Sequence, residues 1–483
     1  MKRKNIFSNL IWRFAERCGA QLVSFVVSIV LARILAPEAY GTVALIMVFT
    51  TVLQVFVDSG LGNALIQKKD ADELDFSTVF YANIVFCGIL YMLLFVGAPL
   101  IAALYRDVSL TSMIRVLGIT VLVSGVKNIQ QAYVSKNMIF KKFFFATLGG
   151  TIAAAGAGIC MAMAGYGAWA LVAQQVINVS IDTLILWLTV RWRPRRSFSL
   201  TRLKDLFSYG WKLMVSSLLD VGYNNIRQLI IGGMYSSADL AYYNRGQQFP
   251  NFIVSNINAS IDSVLFPMMA GVQDNRDNIK AMTRRSIKVS VYIMAPLMMG
   301  LTFAAETVVR LILTDKWLEC VPYLRIFCVS FMFWPIHTAN LNAVKAMGRS
   351  DLFLKLEVIK KCVGMILLLA TMYFGPMAIA YSLLAGSLCS QIINSWPNRK
   401  LLGYGYLEQL RDILPSVLLA VGMGMAIWCI SLTGWNSLLV LSTQVVMGVL
   451  IYLAGSALCR MDSFFYLVDT LKTFRSVGGK KIQ

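Results

Sequence analysis

Long apolar runs alternate with short polar breaks along the chain as far as about residue 460. Each run is long enough for a helix that crosses the hydrocarbon core of a bilayer, which takes about 20 residues. The predicted fold class is therefore an all-α polytopic membrane protein with about fourteen transmembrane helices. They are predicted at residues 8–35, 41–66, 77–105, 110–134, 142–164, 168–190, 208–234, 238–270, 283–313, 321–346, 352–374, 376–398, 411–433 and 436–459.

Composition supports this interpretation and excludes large extramembrane domains. The 483 residues are 58% hydrophobic and 14% charged, and the mean hydropathy is +0.66. The nine cysteines form no CxxC pair and lie mostly in apolar runs, so we interpret them as small core residues. The basic start resembles a signal peptide, but Arg13, Glu16 and Arg17 interrupt the apolar stretch that follows. We therefore expect a retained first helix.

The distribution of charge predicts the topology. Lys and Arg outnumber Asp and Glu by 44 to 24. The side that holds both termini carries 29 of these basic residues, whereas the other side carries only Arg106 and Lys316. Because positive loops stay in the cytoplasm, both termini are expected there, in a multi-pass protein of the bacterial cytoplasmic (inner) membrane. The same rule explains the basic loop at residues 191–204, so a nucleic-acid partner is not expected.

Weak internal similarity predicts two six-helix halves. Trp12-Arg13 recurs as Trp211-Lys212, and Asp58-Ser59 recurs as Asp262-Ser263. The expected domains are an N-lobe at residues 1–190, a basic cytoplasmic linker at 191–207 and a C-lobe at 208–400. Two further helices at 401–460 and a cytoplasmic tail at 461–483 complete the chain. The tail has an apolar face at 463–475, which predicts an interfacial helix.

Many charged residues fall within the predicted helices, where a charge costs at least about 2.5 kcal/mol. The cations are Arg13, Arg17, Arg33, Arg115, Lys127, Lys212, Arg227, Arg245, Arg310, Arg325, Lys345, Lys360 and Lys361. The acids are Glu16, Asp58, Asp182, Asp220, Asp262, Glu306 and Glu357. Six of the cations lie near helix ends and are expected to extend to the interface: Arg33, Arg115, Lys127, Arg310, Arg325 and Lys345.

The deeper polar residues recur at helical spacing on the first, second, seventh and eighth predicted helices. Such stripes predict a hydrated cavity, and the excess of cations favours an anion as its ligand. The candidate substrate-binding cations are Arg13, Arg17, Lys212, Arg227 and Arg245. The candidate polar lining comprises Gln21, Gln54, Asn224, Gln228, Gln248, Asn251 and Asn258. Hydrogen bonding that merely joins helices is the alternative interpretation.

Other sites are weaker candidates. The lone His337 has no second histidine or carboxylate at helical spacing, so it is interpreted as a packing residue rather than a metal ligand. The small residues from Gly149 to Gly158 indicate close helix packing. No nucleotide-binding or hydrolase motif occurs, so neither an ATP-driven pump nor an enzyme is expected, and no catalytic residue, metal or cofactor is assigned.

Five segments resemble the Wzx-type O-antigen and polysaccharide flippases of the multidrug/oligosaccharidyl-lipid/polysaccharide exporter superfamily. They are residues 31–41 (LARILAPEAYG), 58–67 (DSGLGNALIQ), 209–212 (YGWK), 239–245 (DLAYYNR) and 264–267 (VLFP). The resemblance spans about residues 5–400 and is greatest to exporters of repeat units similar to colanic and teichuronic acid. It implies two six-helix lobes in a V around a cationic cavity. By position in the fold, the family's functional cations correspond to Arg13, Arg17, Lys212 and Arg245.

The resemblance implies that the cargo is an undecaprenyl-diphosphate-linked oligosaccharide, moved from the inner to the outer leaflet by alternating access. The implied partners are this lipid-linked oligosaccharide, membrane lipids and the polysaccharide polymerase machinery. Embedded carboxylates would couple transport to a gradient of H⁺ or Na⁺. The candidates are Asp58, Asp220 and Asp262, because dehydration and nearby cations act on them in opposite directions.

Three other functions stay open. A drug or metabolite antiporter of the same superfamily would favour acids over bases in its cavity, and the sequence has the reverse. A membrane-embedded glycan polymerase or ligase would need catalytic groups on a sizeable outer loop, whereas every predicted outer loop is short. A scaffold without transport would leave thirteen embedded cations unexplained.

Overall fold

The computed structural model describes residues 3–58, 60–272 and 275–479, without the side chains of residues 3–18, 209, 264, 471 and 473–479. Helices make up nearly all of this part, which contains no strand. The first nine are α1 (Arg3–Ile34), α2 (Pro37–Asp58), α3 (Leu61–Gln67), α4 (Glu73–Leu104), α5 (Ser109–Lys136), α6 (Lys141–Met163), α7 (Ala168–Thr189), α8 (Leu200–Met234) and α9 (Ser237–Ala270).

A short 3₁₀ helix, Asp315–Cys320, lies among the remaining nine α-helices. These are α10 (Arg276–Phe303), α11 (Ala305–Ile312), α12 (Val321–Met332), α13 (Trp334–Ala346), α14 (Ser350–Thr371), α15 (Pro376–Leu402), α16 (Tyr406–Ser431), α17 (Ser437–Leu458) and α18 (Asp462–Gly479).

Each of the fourteen predicted segments coincides with one helix or with consecutive short helices. The second is divided into α2 and α3, the ninth into α10 and α11, and the tenth into α12 and α13. Within the described residues, eleven helical segments are long and apolar enough to cross a membrane. The protein is therefore a multi-pass membrane protein. Its exact number of crossings stays a prediction, because α8 and α14 do not reach that apolar length and the described apolar part of α1, Gly19–Ile34, is shorter.

The chain forms two compact units, Met1–Ala241 and Tyr242–Gln483. In the first unit, the pair α6 and α7 packs closely because α6 carries glycines on its contact face. A Cβ on Gly149 would lie 2.5 Å from Ile185 Cδ1, and one on Gly150 would lie 2.8 Å from the carbonyl oxygen of Asn178. The predicted role of these two glycines in close packing is confirmed.

The divided helix α2–α3 touches α8 in the same unit. A Cβ on Gly210 would lie 2.8 Å from the carbonyl oxygen of Gly60, which precedes α3. At the other end of α2, a Cβ on Gly41 would lie only 1.6 Å from the carbonyl oxygen of Ser237. Three of the segments that carry the family resemblance, 31–41, 58–67 and 209–212, therefore take part in backbone contacts that leave no room for a side chain.

The basic linker is fixed to the first unit. The N–H groups of Arg195 and Ser199 donate to the hydroxyls of Ser77 and Thr78 on α4, at 3.0 and 3.1 Å. Near the start of α4, the fully buried Asp75 pairs with Lys68 at 2.7 Å. These contacts give the linker a defined path over the start of α4.

The second unit is organised around polar contacts between its helices. Asn340 on α13 accepts from the side-chain amides of Asn398 (2.7 Å) and Gln409 (3.0 Å), and all three residues are buried. The amphipathic α18 packs against α10, where Asp462 accepts from Lys288 Nζ at 2.8 Å. The predicted helix at 463–475 is thus present, while its position at a membrane surface stays a prediction.

Candidate functional site

The polar stripe predicted on the seventh helix lies on one face of α8. Lys212, Ser216, Asp220 and Asn224 are exposed along this face, and Gln228 at its end is half-buried. The side-chain amide of Asn224 donates to Asp220 at 3.3 Å. An exposed stripe of this kind is unsuited to hydrocarbon, because lipid offers no partner for charges and amides.

Two of the candidate cations are buried rather than exposed. The Arg227 guanidinium lies 5.6 Å from the centre of the Tyr223 ring, and its Nε has no hydrogen-bond partner among the described residues. Arg245 lies 5.1 Å from the centre of the Trp317 ring and donates to Gln248. Both cations are stabilised by aromatic faces, so neither is freely accessible in this conformation.

The structure describes the side chains of the first helix, α1, only from residue 19 onward. Gln21 is half-buried on α1. Arg13 and Arg17 belong to the same helix, but their side chains lie outside the described part of the structure. Their predicted role in binding an anion therefore stays a prediction.

A polar cavity of about 290 Å³ occupies the first unit. Asp58, at the end of α2, accepts from Gln54 at 3.1 Å and from Asn128 on α5 at 3.3 Å. Asn83 on α4 in turn donates to Asn128 at 3.2 Å. Gly62 on α3 permits this arrangement, because a Cβ there would lie 2.6 Å from Asn128 Oδ1.

A second polar cavity, of about 360 Å³, occupies the second unit between α9 and α13. Asn342 on α13 donates to Asp262 on α9 at 2.8 Å, and Thr338 donates to Asn258 at 2.7 Å. Asn251 also lines the cavity. Three of the polar residues predicted on the eighth helix, Asp262, Asn258 and Asn251, are therefore brought to one site.

The two cavities are built in the same way. In each unit, an aspartate on the second helix of a predicted half accepts from an asparagine on the fourth helix. The match of Asp58 with Asp262 was visible in the sequence. The matching partners Asn128 and Asn342 were not, because each lies at least 70 residues from its aspartate along the chain.

Some embedded charges have roles that the sequence analysis did not foresee. Lys127 was expected to extend to the interface, but this expectation is wrong, because its Nζ lies 2.6 Å from a carboxylate oxygen of Asp182. Lys345 lines the second cavity. His337 lies 3.1 Å from the side chain of Asn394, in agreement with a packing role.

A row of residues on α13 that was not predicted from the sequence also lines the second cavity. Trp334, Thr338, Asn342 and Lys345 recur at steps of four, four and three residues, which is the spacing of one helix face. The same test that identified the stripe on α8 would have found them. They were not predicted because the tenth apolar segment is otherwise strongly apolar and shares no matching dipeptide with the first half.

The sequence is similar to those of known polysaccharide biosynthesis proteins. The profile of a family described as "Polysaccharide biosynthesis protein" matches residues 30–322. The chain is 25% identical over 437 residues to the teichuronic acid biosynthesis protein TuaB of Bacillus subtilis (strain 168), covering 90% of this chain and 88% of that protein. It is 23% identical over 368 residues to the lipopolysaccharide biosynthesis protein WzxC of Escherichia coli (strain K12), covering 76% and 74%.

A solved structure has a closely similar fold. The lipid II flippase MurJ in its inward closed conformation matches with a TM-score of 0.74 at 15% identity, covering 94% of this chain and 99% of that one. At this level of identity, the comparison establishes the arrangement of helices and does not extend to the residues of a site.

Proposed function

The chain belongs to the family of polysaccharide biosynthesis proteins, and from this membership we propose that it is a flippase for lipid-linked oligosaccharides. Its cargo would be an undecaprenyl-diphosphate-linked glycan, carried from the inner to the outer leaflet by alternating access. A further relative, 24% identical over 332 residues, is named the succinoglycan biosynthesis transport protein ExoT of Rhizobium meliloti (strain 1021). This name and the fold shared with a lipid II flippase support a transporter rather than an enzyme. The exposed polar face of α8 is the observation that carries the proposal.

That face suits the headgroup of such a lipid. Lys212 offers an exposed ammonium, and charge-assisted hydrogen bonds to phosphate oxygens are strong. Arg227 and Arg245 are covered by aromatic rings in this conformation, so we assign first contact with the diphosphate to Lys212, together with Arg13 and Arg17 of α1. Asn and Gln side chains would contact sugar hydroxyls while the prenyl tail stays in lipid.

The first prediction tests this cationic site. Replacing Lys212, Arg13 or Arg17 by Ala should lower glycan export roughly tenfold or more while the protein still accumulates in the membrane. A charge-assisted hydrogen bond contributes about 1.5–3 kcal/mol, which corresponds to that factor. Export is measured as surface polysaccharide in a deletion strain complemented with each variant. Lys204→Ala, an exposed lysine two turns earlier on α8, is the matched control. Full export by all three variants would refute the cationic site.

We further propose that an H⁺ or Na⁺ gradient drives transport through Asp58, Asp220 and Asp262. Each of them accepts a hydrogen bond from an uncharged amide: Asn128, Asn224 and Asn342 respectively. An amide stabilises the carboxylate without neutralising it, so the carboxylate keeps the capacity to take up a cation. Competition between the diphosphate and these acids for nearby cations would link cargo binding to ion uptake.

The second prediction is that Asn substitutions at these three aspartates abolish stimulation of flipping by an ion gradient and leave cargo binding intact. The measurement is flipping of a lipid-diphosphate-sugar in proteoliposomes, with and without an imposed gradient. Asp239→Asn serves as the control, because Asp239 in the first turn of α9 accepts hydrogen bonds from the N–H and hydroxyl of Ser236, and the amide oxygen of Asn can accept the same bonds. Gradient stimulation that survives in all three variants would exclude these carboxylates as the coupling site.

A further inference from the structure

The cavity in the second unit lies between two parallel polar faces. On α9, Asn251, Ser255, Asn258 and Asp262 follow one another at helical spacing, and α13 presents Trp334, Thr338, Asn342 and Lys345. The hydrogen bonds from Thr338 to Asn258 and from Asn342 to Asp262 join the two faces at one end. The other end, between Asn251 and Trp334, carries no such cross-link among the described residues.

Trp334 makes this end unusual for a polar cavity. Its side chain is 41% exposed although it lines the cavity, and Phe331 holds its ring in a T-shaped contact at 5.2 Å. An indole that is fixed from one side and free on another presents a rigid apolar face at little entropic cost. Beside it are amides and hydroxyls that both donate and accept hydrogen bonds.

This combination fits a sugar ring. A pyranose has a face of C–H groups that packs on an aromatic ring and a rim of hydroxyls that pair with amides and carboxylates. A volume of about 360 Å³ lies at the lower end of the range for small-molecule pockets, which suits one or two sugar residues. Phosphate is a poorer fit, because Lys345 is the only basic residue among the described residues of the lining, and the negative charge of Asp262 would repel an anion.

We propose that this cavity is a saccharide subsite, in which Trp334 stacks on one sugar of the cargo glycan and Asn251, Ser255 and Asn258 bind its hydroxyls. The inference rests on the proposed flippase function and adds the residues that recognise the glycan. The cavity of the first unit has the same aspartate–asparagine pair, but the aromatic residue in its lining, Phe143, is only 5% exposed. The structure thus assigns sugar recognition to the second unit.

The experiment measures binding of two probes to the purified protein in nanodiscs. One probe is undecaprenyl diphosphate carrying the glycan extracted from the native producer, and the other is undecaprenyl diphosphate without sugar. Trp334→Ala and Asn251→Ala should each weaken binding of the glycosylated probe roughly tenfold and leave binding of the sugar-free probe unchanged. Trp334→Phe should restore most of the loss, because a phenyl ring still offers a flat apolar face.

The control is Trp428→Ala on α16, an indole of similar exposure (46%) outside this cavity, which should bind both probes normally. Asn251 is exposed, so its replacement tests the site even if Trp334→Ala does not fold. Unchanged affinity for the glycosylated probe, or equal weakening for both probes, would overturn the subsite while leaving the flippase proposal intact. A wild-type protein that binds neither probe would overturn both.

Discussion

At the residue scale, the largely buried ion pair of Lys127 and Asp182 is expected to contribute strongly to the stability of the protein. The side chains are 17% and 9% exposed, and their nearest charged atoms lie 2.6 Å apart on α5 and α7. Gly150 lets α6 approach this point, since a Cβ there would lie 3.0 Å from Asp182 Cβ. If one residue of so closely packed an ion pair is replaced, water cannot solvate the charge that is left. The remaining buried charge then destabilises the protein.

The third prediction follows from that geometry. Lys127→Met should destabilise the protein by about 3 kcal/mol or more, because it leaves a buried carboxylate uncompensated. The double variant Lys127→Met with Asp182→Leu should recover most of this loss. Both are measured by unfolding in mixed detergent–SDS micelles. The pair has no such role if the single variant is as stable as the double one.

At the element scale, the linker and the tail helix, which lie outside the predicted lobes, are both fixed by specific contacts. The linker is held by Ser77 and Thr78 on α4. The tail helix α18 is held on α10 by the pair of Asp462 and Lys288, and by Arg285, whose guanidinium lies 4.7 Å from the centre of the Tyr466 ring. The hydrogen bond from Lys288 lowers the pKa of Asp462 below its ordinary value of 3.8.

The fourth prediction concerns the pH dependence of this docking. A lowered carboxyl pKa means that the contact contributes fully above about pH 4 and is lost as the pH falls through the folded-state value. Asp462→Asn should therefore loosen α18 at pH 7 as acid does in the wild type. Electron–electron distances between spin labels at positions 281 and 465, in a cysteine-free background, report the separation of α10 and α18. A distance distribution that is the same at pH 7 in both proteins would contradict this role.

At the scale of the whole molecule, each of the two units contains a cavity lined by an aspartate–asparagine pair. Asp58 and Asp262, the aspartates of the two pairs, are residues whose match between the two halves was predicted from the sequence. The predicted lobe boundaries at residues 190 and 208 and the cytoplasmic termini remain proposals. The structure does, however, identify good labelling positions, because Arg196 and Glu319 are both exposed.

The fifth prediction tests the topology with these positions. In a variant without the nine native cysteines, Glu319→Cys should react with an impermeant maleimide in intact cells. Arg196→Cys should react only after the membrane is permeabilised, because the positive-inside rule keeps the basic linker in the cytoplasm. Labelling of position 196 from outside would reverse the proposed orientation.

The sequence by itself determined the helices of this protein. Apolar runs of the required length specify helices locally, since only a helix satisfies its own backbone groups within a bilayer. All fourteen predicted segments accordingly correspond to helices. Five short segments were also enough to indicate the family to which the chain belongs. Helix interruptions such as that at Gly60 were not predicted, because a break within an apolar run leaves the overall hydrophobic pattern intact.

The tertiary structure decided which polar residues meet. Helical spacing identified the face of α8 and three residues of α9, but it gave no partner for Asp58, Asp262 or Lys127. Those partners, Asn128, Asn342 and Asp182, come from helices that are distant along the chain. Periodicity specifies which face of a helix a residue occupies, whereas contact between helices depends on how they pack together. The pairing of polar groups in each cavity is therefore a property of the folded protein alone.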